Sequence, residues 1–194
     1  MKNIRVPYGM AVHNNEEIKA VTKTLQSSTQ MGKNVYLFEK KISGLFNKKY
    51  GLMVNSGSSA LFLTFSSINF PKGSEVITPV LTFATTVAAI TQNDLIPVFI
   101  DVKKTTYCID ENDIEKMISK KTKAICIPNL IGNIPNWIII NKIARKYNLL
   151  IIEDSADALG SKIRKKSTGL YSDISITSFY GSHIINCAGN GGMV

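Results

Sequence analysis

Apolar residues follow two alternating rhythms along the chain. Short runs rich in Ile, Val and Leu occur at residues 51–54, 75–78, 97–101, 124–128, 149–153 and 174–178; their length and β-branched content predict buried strands. Residues 59–68, 82–92, 111–119 and 137–147 lie between them and carry helical patterns. Two further helices are predicted upstream, over 16–25 and 34–46. In the second, Phe38, Ile42, Leu45 and Phe46 recur at i, i+4, i+7 and i+8 and share one face. Strand and helix alternating at this spacing predict an α/β fold, a mostly parallel sheet with helices on both faces. In such sheets the turns after the carboxyl ends of the strands hold the ligand chemistry.

Two long stretches without charge, 51–71 and 76–93, have the length of a membrane span. The first is interrupted by Asn55-Ser56-Gly57-Ser58-Ser59 and the second by Thr78-Pro79 and a run of threonines, so each reads as strand, polar turn and helix. The opening Met1-Lys2-Asn3-Ile4-Arg5-Val6-Pro7 lacks the apolar core of a signal peptide. Three scattered cysteines, Cys108, Cys126 and Cys187, have no paired zinc spacing and read as reduced thiols. The prediction is a cytoplasmic protein with no membrane partner and no metal. A chain of 194 residues with 44% hydrophobic residues is also neither a disordered tail nor a disulfide-stapled mini-protein.

The charge of +9 comes from dispersed basic pairs, with the densest cluster at 162–166. No recognition helix or aromatic-interleaved basic motif accompanies it, so nucleic acid is not predicted as a partner. Attraction for a small anionic substrate fits the excess equally well.

Three turns could carry chemistry. Val54-Asn55-Ser56-Gly57-Ser58-Ser59-Ala60-Leu61 passes from a strand end through small residues into a helix. It is either a phosphate cradle or an ordinary turn with a serine N-cap, and it is neither the G-x-G-x-x-G fingerprint nor a Walker loop. Ile151-Ile152-Glu153-Asp154-Ser155-Ala156-Asp157 puts three acids at the mouth of an apolar strand, with Asp154 at the strand end. A metal, a protonated heterocycle nitrogen or plain solvent could each face that carboxylate. Ile176-Thr177-Ser178-Phe179-Tyr180-Gly181-Ser182-His183 ends in one of two histidines. An imidazole beside an acidic strand end and a phosphate cradle is a general-base candidate; His13 has no comparable setting.

These residues resemble the DegT/StrS family of nucleotide-sugar aminotransferases, which are fold-type-I, pyridoxal-phosphate enzymes. The resemblance runs from about Met31 to the last residue. It includes Gly32, Phe38-Glu39, the Asn55 to Leu61 turn, and Gly73-Ser74-Glu75-Val76-Ile77-Thr78-Pro79. It continues with Thr82-Phe83-Ala84-Thr85, Pro97-Val98-Phe99-Ile100-Asp101-Val102, Thr122-Lys123-Ala124-Ile125, Glu153-Asp154, Gly169, Ser178-Phe179-Tyr180 and Gly191-Gly192. The resemblance implies that Gly57, Ser58 and Ser178 hold the cofactor phosphate, that Phe83 stacks on the pyridine ring and that Asp154 pairs with its nitrogen. A carboxylate there keeps the ring protonated and electron-withdrawing.

The departure is at the catalytic position. Family aminotransferases carry a lysine after the Ser-Phe-Tyr turn, where this chain has His183, and no lysine follows Lys166. Imidazole cannot form the stable imine that a lysine amine forms. A histidine here resembles the family's sugar 3-dehydratases, which act on nucleotide-linked 4-keto-6-deoxyhexoses in deoxysugar and polysaccharide (O-antigen, lipopolysaccharide) biosynthesis. Asp157 agrees, standing where the aminotransferases carry glutamine, and it joins the cofactor-binding set. Gln92-Asn93 and Asn129-Leu130 with Gly132-Asn133 lean the same way. Between His183 and the paired glycines, the expected glutamate is missing and one residue is extra, leaving Asn186 and Asn190 unassigned.

The resemblance implies a pyridoxamine phosphate cofactor, a nucleotide-diphosphate sugar substrate and a homodimer. One dehydratase type renews the amine from glutamate. The other uses an iron–sulfur cluster held by cysteines in the C-terminal part of the family's length. The alternatives are a family aminotransferase and a degenerate, non-catalytic binder of cofactor or nucleotide sugar. Residues 1–30 are expected to form an N-terminal helical segment and 31–194 a truncated, incomplete cofactor-binding large domain. The small C-terminal domain is expected to lie outside this chain.

Overall fold

The computed structural model describes residues 4–7, 9–10 and 12–194, so Met1, Lys2, Asn3, Tyr8 and Ala11 of the predicted N-terminal segment lie outside the described residues. The chain opens with helices α1 (Asn15–Ser27) and α2 (Lys33–Leu45). It then alternates through β1 (Met53–Val54), α3 (Gly57–Ile68), β2 (Glu75–Pro79), α4 (Ala84–Thr91) and β3 (Ile96–Ile100). Beyond these come α5 (Glu111–Ile114), β4 (Thr122–Pro128), α6 (Trp137–Lys146) and β5 (Leu150–Asp154). A hairpin, β6 (Lys162–Ile163) with β7 (Lys166–Ser167), precedes β8 (Ile174–Ser178) and β9 (Gly192–Met193).

Among the described residues one sheet runs in the order β1-β9-β8-β5-β4-β2-β3. Its pairs from β3 to β8 are all parallel, and β9 returns antiparallel between β8 and β1. The predicted mostly parallel sheet is therefore present, with an antiparallel edge. Successive strand residues face opposite sides, and here both sides are covered. Val76, Ala124, Cys126, Ile152 and Ile176 pack under Leu61 and Phe65 of α3 and Ile90 of α4. Ile77, Ile125, Ile127 and Ile151 pack on the other side against Trp137, Ile140 and Ile143 of α6 and Ile114 of α5. Burial on both faces is why these strands read as continuous apolar runs. A smaller cluster of Ile42, Phe46, Phe179 and Met193 seats α2 beside β9, whereas α1 buries no side chain.

The departures from the predicted elements have local causes. The helix predicted over 59–68 begins earlier because Ser56 caps it, its Oγ accepting from Ser59 N at 3.0 Å; Gly57 and Ser58 therefore lie in the first turn. The helix predicted over 82–92 begins later because Phe83 is extended (φ −69°, ψ 140°), which leaves Thr82 and Phe83 in the turn. Over 111–119 the α-helix stops at Ile114 and tightens into a 3₁₀ turn at Glu115–Met117. In that helix the one buried apolar anchor is Ile114, too little to sustain a longer helix. The basic cluster at 162–166 is the β6–β7 hairpin, with Arg164 and Lys165 in the left-handed region (φ 48° and 67°). Among the described residues no helix is long and apolar enough to cross a membrane.

Candidate functional site

A cavity of about 580 Å³ opens at the carboxyl ends of β4, β5 and β8, against the first turn of α3 and the turn before α4. Gly57, Ser58, Phe83, Asp154, Asp157, Ser178 and His183, all singled out in the sequence, line this cavity. None of its described lining residues is a lysine.

The turn after β1 and the end of β8 meet at one corner. A Cβ on Gly57 would stand 2.8 Å from Ser178 Cβ, so only glycine lets the first turn of α3 approach that strand. Gly192 of β9 backs the same corner, where an added Cβ would stand 2.3 Å from the Ser56 carbonyl carbon. Ser58 Oγ donates to Thr85 Oγ1 at 3.0 Å, tying the start of α3 to that of α4. Hydroxyls and free helix-start N–H groups thus line one end of the cavity.

Asp154 lies at the cavity floor and is 5% exposed. Its Oδ2 accepts from Thr86 Oγ1 at 3.0 Å and its Oδ1 from Ala156 N at 3.2 Å. Burial pushes its carboxyl up to about 6 from the ordinary 3.8; those two hydrogen bonds pull the other way, and the Asp157 and Glu153 charges add to the rise. Phe83 is 68% exposed, leaving its ring open at the cavity rim.

The turn after β8 is closed by His183 N donating to Tyr180 O at 2.9 Å. It presents the His183 ring edge-on to Tyr180, with ring centroids 5.8 Å apart. Nε2 of His183 stands 3.5 Å from Asp157 Oδ1, while Asp157 Oδ2 accepts from Ile131 N at 3.1 Å. His183 Nδ1 is buried without a hydrogen-bond partner among the described residues, as is Thr82 Oγ1. A described residue of the N-terminal segment also reaches this turn: a Cβ on Gly9 would stand 2.5 Å from Ser182 Cβ.

One sequence-level grouping is corrected. The three acids Glu153, Asp154 and Asp157 do not share a mouth, because Glu153 faces the opposite side of β5 and is fully buried there. Patterning gave no role to Thr86 or Thr85. The signal was the threonine run interrupting 76–93, hydroxyls at a helix start just past a strand end. No cluster of three or more His, Cys, Asp and Glu side chains suited to a metal occurs among the described residues.

Residues 12–194 match the DegT/DnrJ/EryC1/StrS aminotransferase family. The chain is 39% identical over 196 residues to the lipopolysaccharide biosynthesis protein RfbH of Salmonella typhimurium, covering 97% of this chain and 45% of that protein. It is 36% identical over 181 residues to the GDP-perosamine synthase of Escherichia coli O157:H7, covering 92% of this chain and 50% of that one. The E. coli GDP-4-keto-6-deoxy-D-mannose-3-dehydratase with bound hydrated PLP superposes with a TM-score of 0.92 at 30% identity, over 98% of this chain and 51% of the other. The chain thus spans about half the length of the curated relatives it matches.

Proposed function

Since the chain belongs to the DegT/DnrJ/EryC1/StrS aminotransferase family, we propose that the complete protein is a PLP/PMP-dependent sugar 3-dehydratase. It removes the 3-hydroxyl of a nucleotide-linked 4-keto-6-deoxyhexose, in deoxysugar supply for a cell-surface polysaccharide. The observation that carries this reading is His183 in a cavity with no lysine among its described lining residues. The relatives' remaining length would hold the small domain, and the complete chain would work as a homodimer.

The residues present fit a phosphorylated pyridine. Gly57, Ser58 and Ser178 form a small-residue corner with room for a phosphate at the start of α3. Phe83 offers a ring face, and Asp154 is a buried carboxylate that still lines the cavity. When bound, the cofactor would supply an amine for the sugar ketone and a protonated ring that withdraws electrons. Asp154 would hold the proton on that ring nitrogen as the opposite charge.

His183 moves protons at the reacting carbons. A proton taken by its ring makes an imidazolium that Asp157, 3.5 Å from Nε2, stabilises. The same ring returns the proton to the departing C3 oxygen, which leaves as water. None of the described residues lining the cavity is a lysine, so none of them would hold the cofactor covalently.

A second reading, sugar amino transfer, draws on the likeness to GDP-perosamine synthase. Product analysis separates the two. The dehydratase yields a sugar without oxygen at C3; a product carrying a new amino group with C3 oxygen retained overturns it. Borohydride reduction of the PLP-loaded protein adds an independent check, because a cofactor-sized mass on a lysine counts against a lysine-free site.

The phosphate corner makes its own prediction. Gly57→Ala places a Cβ 2.8 Å from Ser178 Cβ and must push α3 and β8 apart. PLP affinity, followed by absorbance titration, is expected to fall about tenfold, equivalent to ~1.4 kcal/mol.

A further inference from the structure

Glu153 sits immediately before Asp154 but on the other face of the sheet, fully buried, outside the cavity. A buried carboxylate is costly unless its oxygens are satisfied, and here four side-chain donors converge on it. Oε1 accepts from Asn129 Nδ2 at 2.9 Å and Ser155 Oγ at 2.8 Å. Oε2 accepts from Ser172 Oγ at 3.1 Å and Ser175 Oγ at 2.8 Å. Behind Ser172 stands Lys48, whose Nζ donates to Ser172 O at 2.6 Å and Gly169 O at 2.7 Å and lies 3.3 Å from Ser172 Oγ. Burial lowers the Lys48 ammonium's proton affinity, while the Glu153 and Asp173 charges oppose that.

The donors belong to the segments that frame Asp154. Asn129 follows β4 and lines the cavity; its backbone N donates to Asp154 O at 2.8 Å, and its Oδ1 is taken by Trp137 Nε1 at 2.8 Å. Ser155 follows Asp154 directly, with its N donating to Ile176 O at 2.8 Å and its O accepting from Thr177 Oγ1 at 3.0 Å. Ser175 is the β8 partner of Glu153 in the sheet register. One carboxylate therefore joins the ends of β4 and β5 to the start of β8, and Lys48, in the turn after α2, reaches it through Ser172. The Asn129 side chain is consumed by this network and is a brace rather than a ligand contact.

We infer that Glu153 is a positioning residue: its carboxylate, clamped by Asn129, Ser155, Ser172 and Ser175, holds the strand end that aims Asp154 into the cavity. For the cofactor this rests on the proposed role of Asp154, but the clamp itself can be read without cofactor. Glutamine keeps the shape yet removes the charge and turns one acceptor into a donor, so the two hydroxyls on that side must reverse to accept and send their own hydrogens elsewhere.

The test is amide hydrogen exchange on the full-length protein, wild type against Glu153→Gln, with PLP affinity measured by absorbance titration. Exchange at Asn129, Ser155 and Ala156 is expected to accelerate tenfold or more, while Ile125 and Ile151 in mid-strand stay within a factor of two. PLP affinity is expected to fall at least tenfold. Unchanged exchange at the three amides, equal acceleration throughout the core, or wild-type PLP affinity would each overturn the inference. Should Glu153→Gln not fold, Ser175→Ala removes one donor and is read on the same amides, with a smaller, two- to fivefold acceleration expected and none overturning it. Asp154→Asn is the control for the underlying reading. Full PLP retention there would sink the role given to Asp154, while local exchange in Glu153→Gln would still report the clamp.

Discussion

Replacing His183 with asparagine is expected to lower turnover of the complete enzyme by about 10²–10⁴-fold, the span general acid–base catalysis commonly supplies. Asparagine preserves much of the ring's volume and polarity but cannot take a proton at neutral pH. The turn itself is held by backbone, through His183 N to Tyr180 O, so the loss should appear in kcat while PLP affinity stays within a factor of about three. Single-turnover release of C3 oxygen as water is the measurement. A variant with wild-type kcat would remove His183 from the mechanism. His183→Lys makes the complementary point. An amine at this position should give a cofactor-sized mass after borohydride reduction and shift products from dehydration toward amino transfer.

Asp154→Asn should have opposite effects on activity and on the empty protein. Its carboxyl stands at about 6 against 3.8 for an ordinary aspartate, chiefly through burial. The raised value means that the folded state holds its proton more tightly than the unfolded chain does. Stability is therefore fully present below pH ~4 and is lost as pH rises through about 6, reaching about 3 kcal/mol at neutral pH. The empty Asp154→Asn protein should accordingly resist denaturant better than wild type at pH 8. That advantage should close as pH falls from 6 to 4, as urea midpoints across the range will show. Catalysis should move the other way, falling on the order of 10²-fold, because a neutral amide cannot hold a proton on the pyridine nitrogen. An empty variant no more stable at pH 8 than at pH 4, relative to wild type, would refute the buried charge.

Much of this architecture is legible in the sequence because buried parallel strands write themselves as unbroken apolar runs. The 174–178 prediction coincides with β8, and the other five predicted strands shift by one or two residues at their ends. Helix starts were less legible. Whether α3 begins at Gly57 or Ser59 turns on the Ser56 cap, and whether α4 takes in Phe83 turns on one extended backbone pair. Those same two starts place Gly57, Ser58 and Phe83 at the cavity, so the decisive detail lies where hydrophobic periodicity is silent. The division of labour between Glu153 and Asp154 follows from strand alternation alone, yet the serines that receive Glu153 come from a separate part of the chain. The 3.5 Å approach of Asp157 to His183 joins segments with no common pattern, and only the closed fold brings them together.

The return of β9 between β8 and β1 has a consequence for how this chemistry diversifies. Phe179 N donates to Gly191 O at 2.8 Å, and Ser178 pairs with Gly192 in the sheet. The segment carrying His183 is thus a loop whose two ends are fastened to each other by the ladder. Its ends stay closed whatever its middle contains, so a substitution within it can change the groups presented to the cavity without disturbing the strands beneath. Such a loop behaves as an exchangeable cassette. One inherited scaffold can alternate between amine and imidazole by changing a few codons, and reactions as different as transfer and elimination can sit a short evolutionary distance apart.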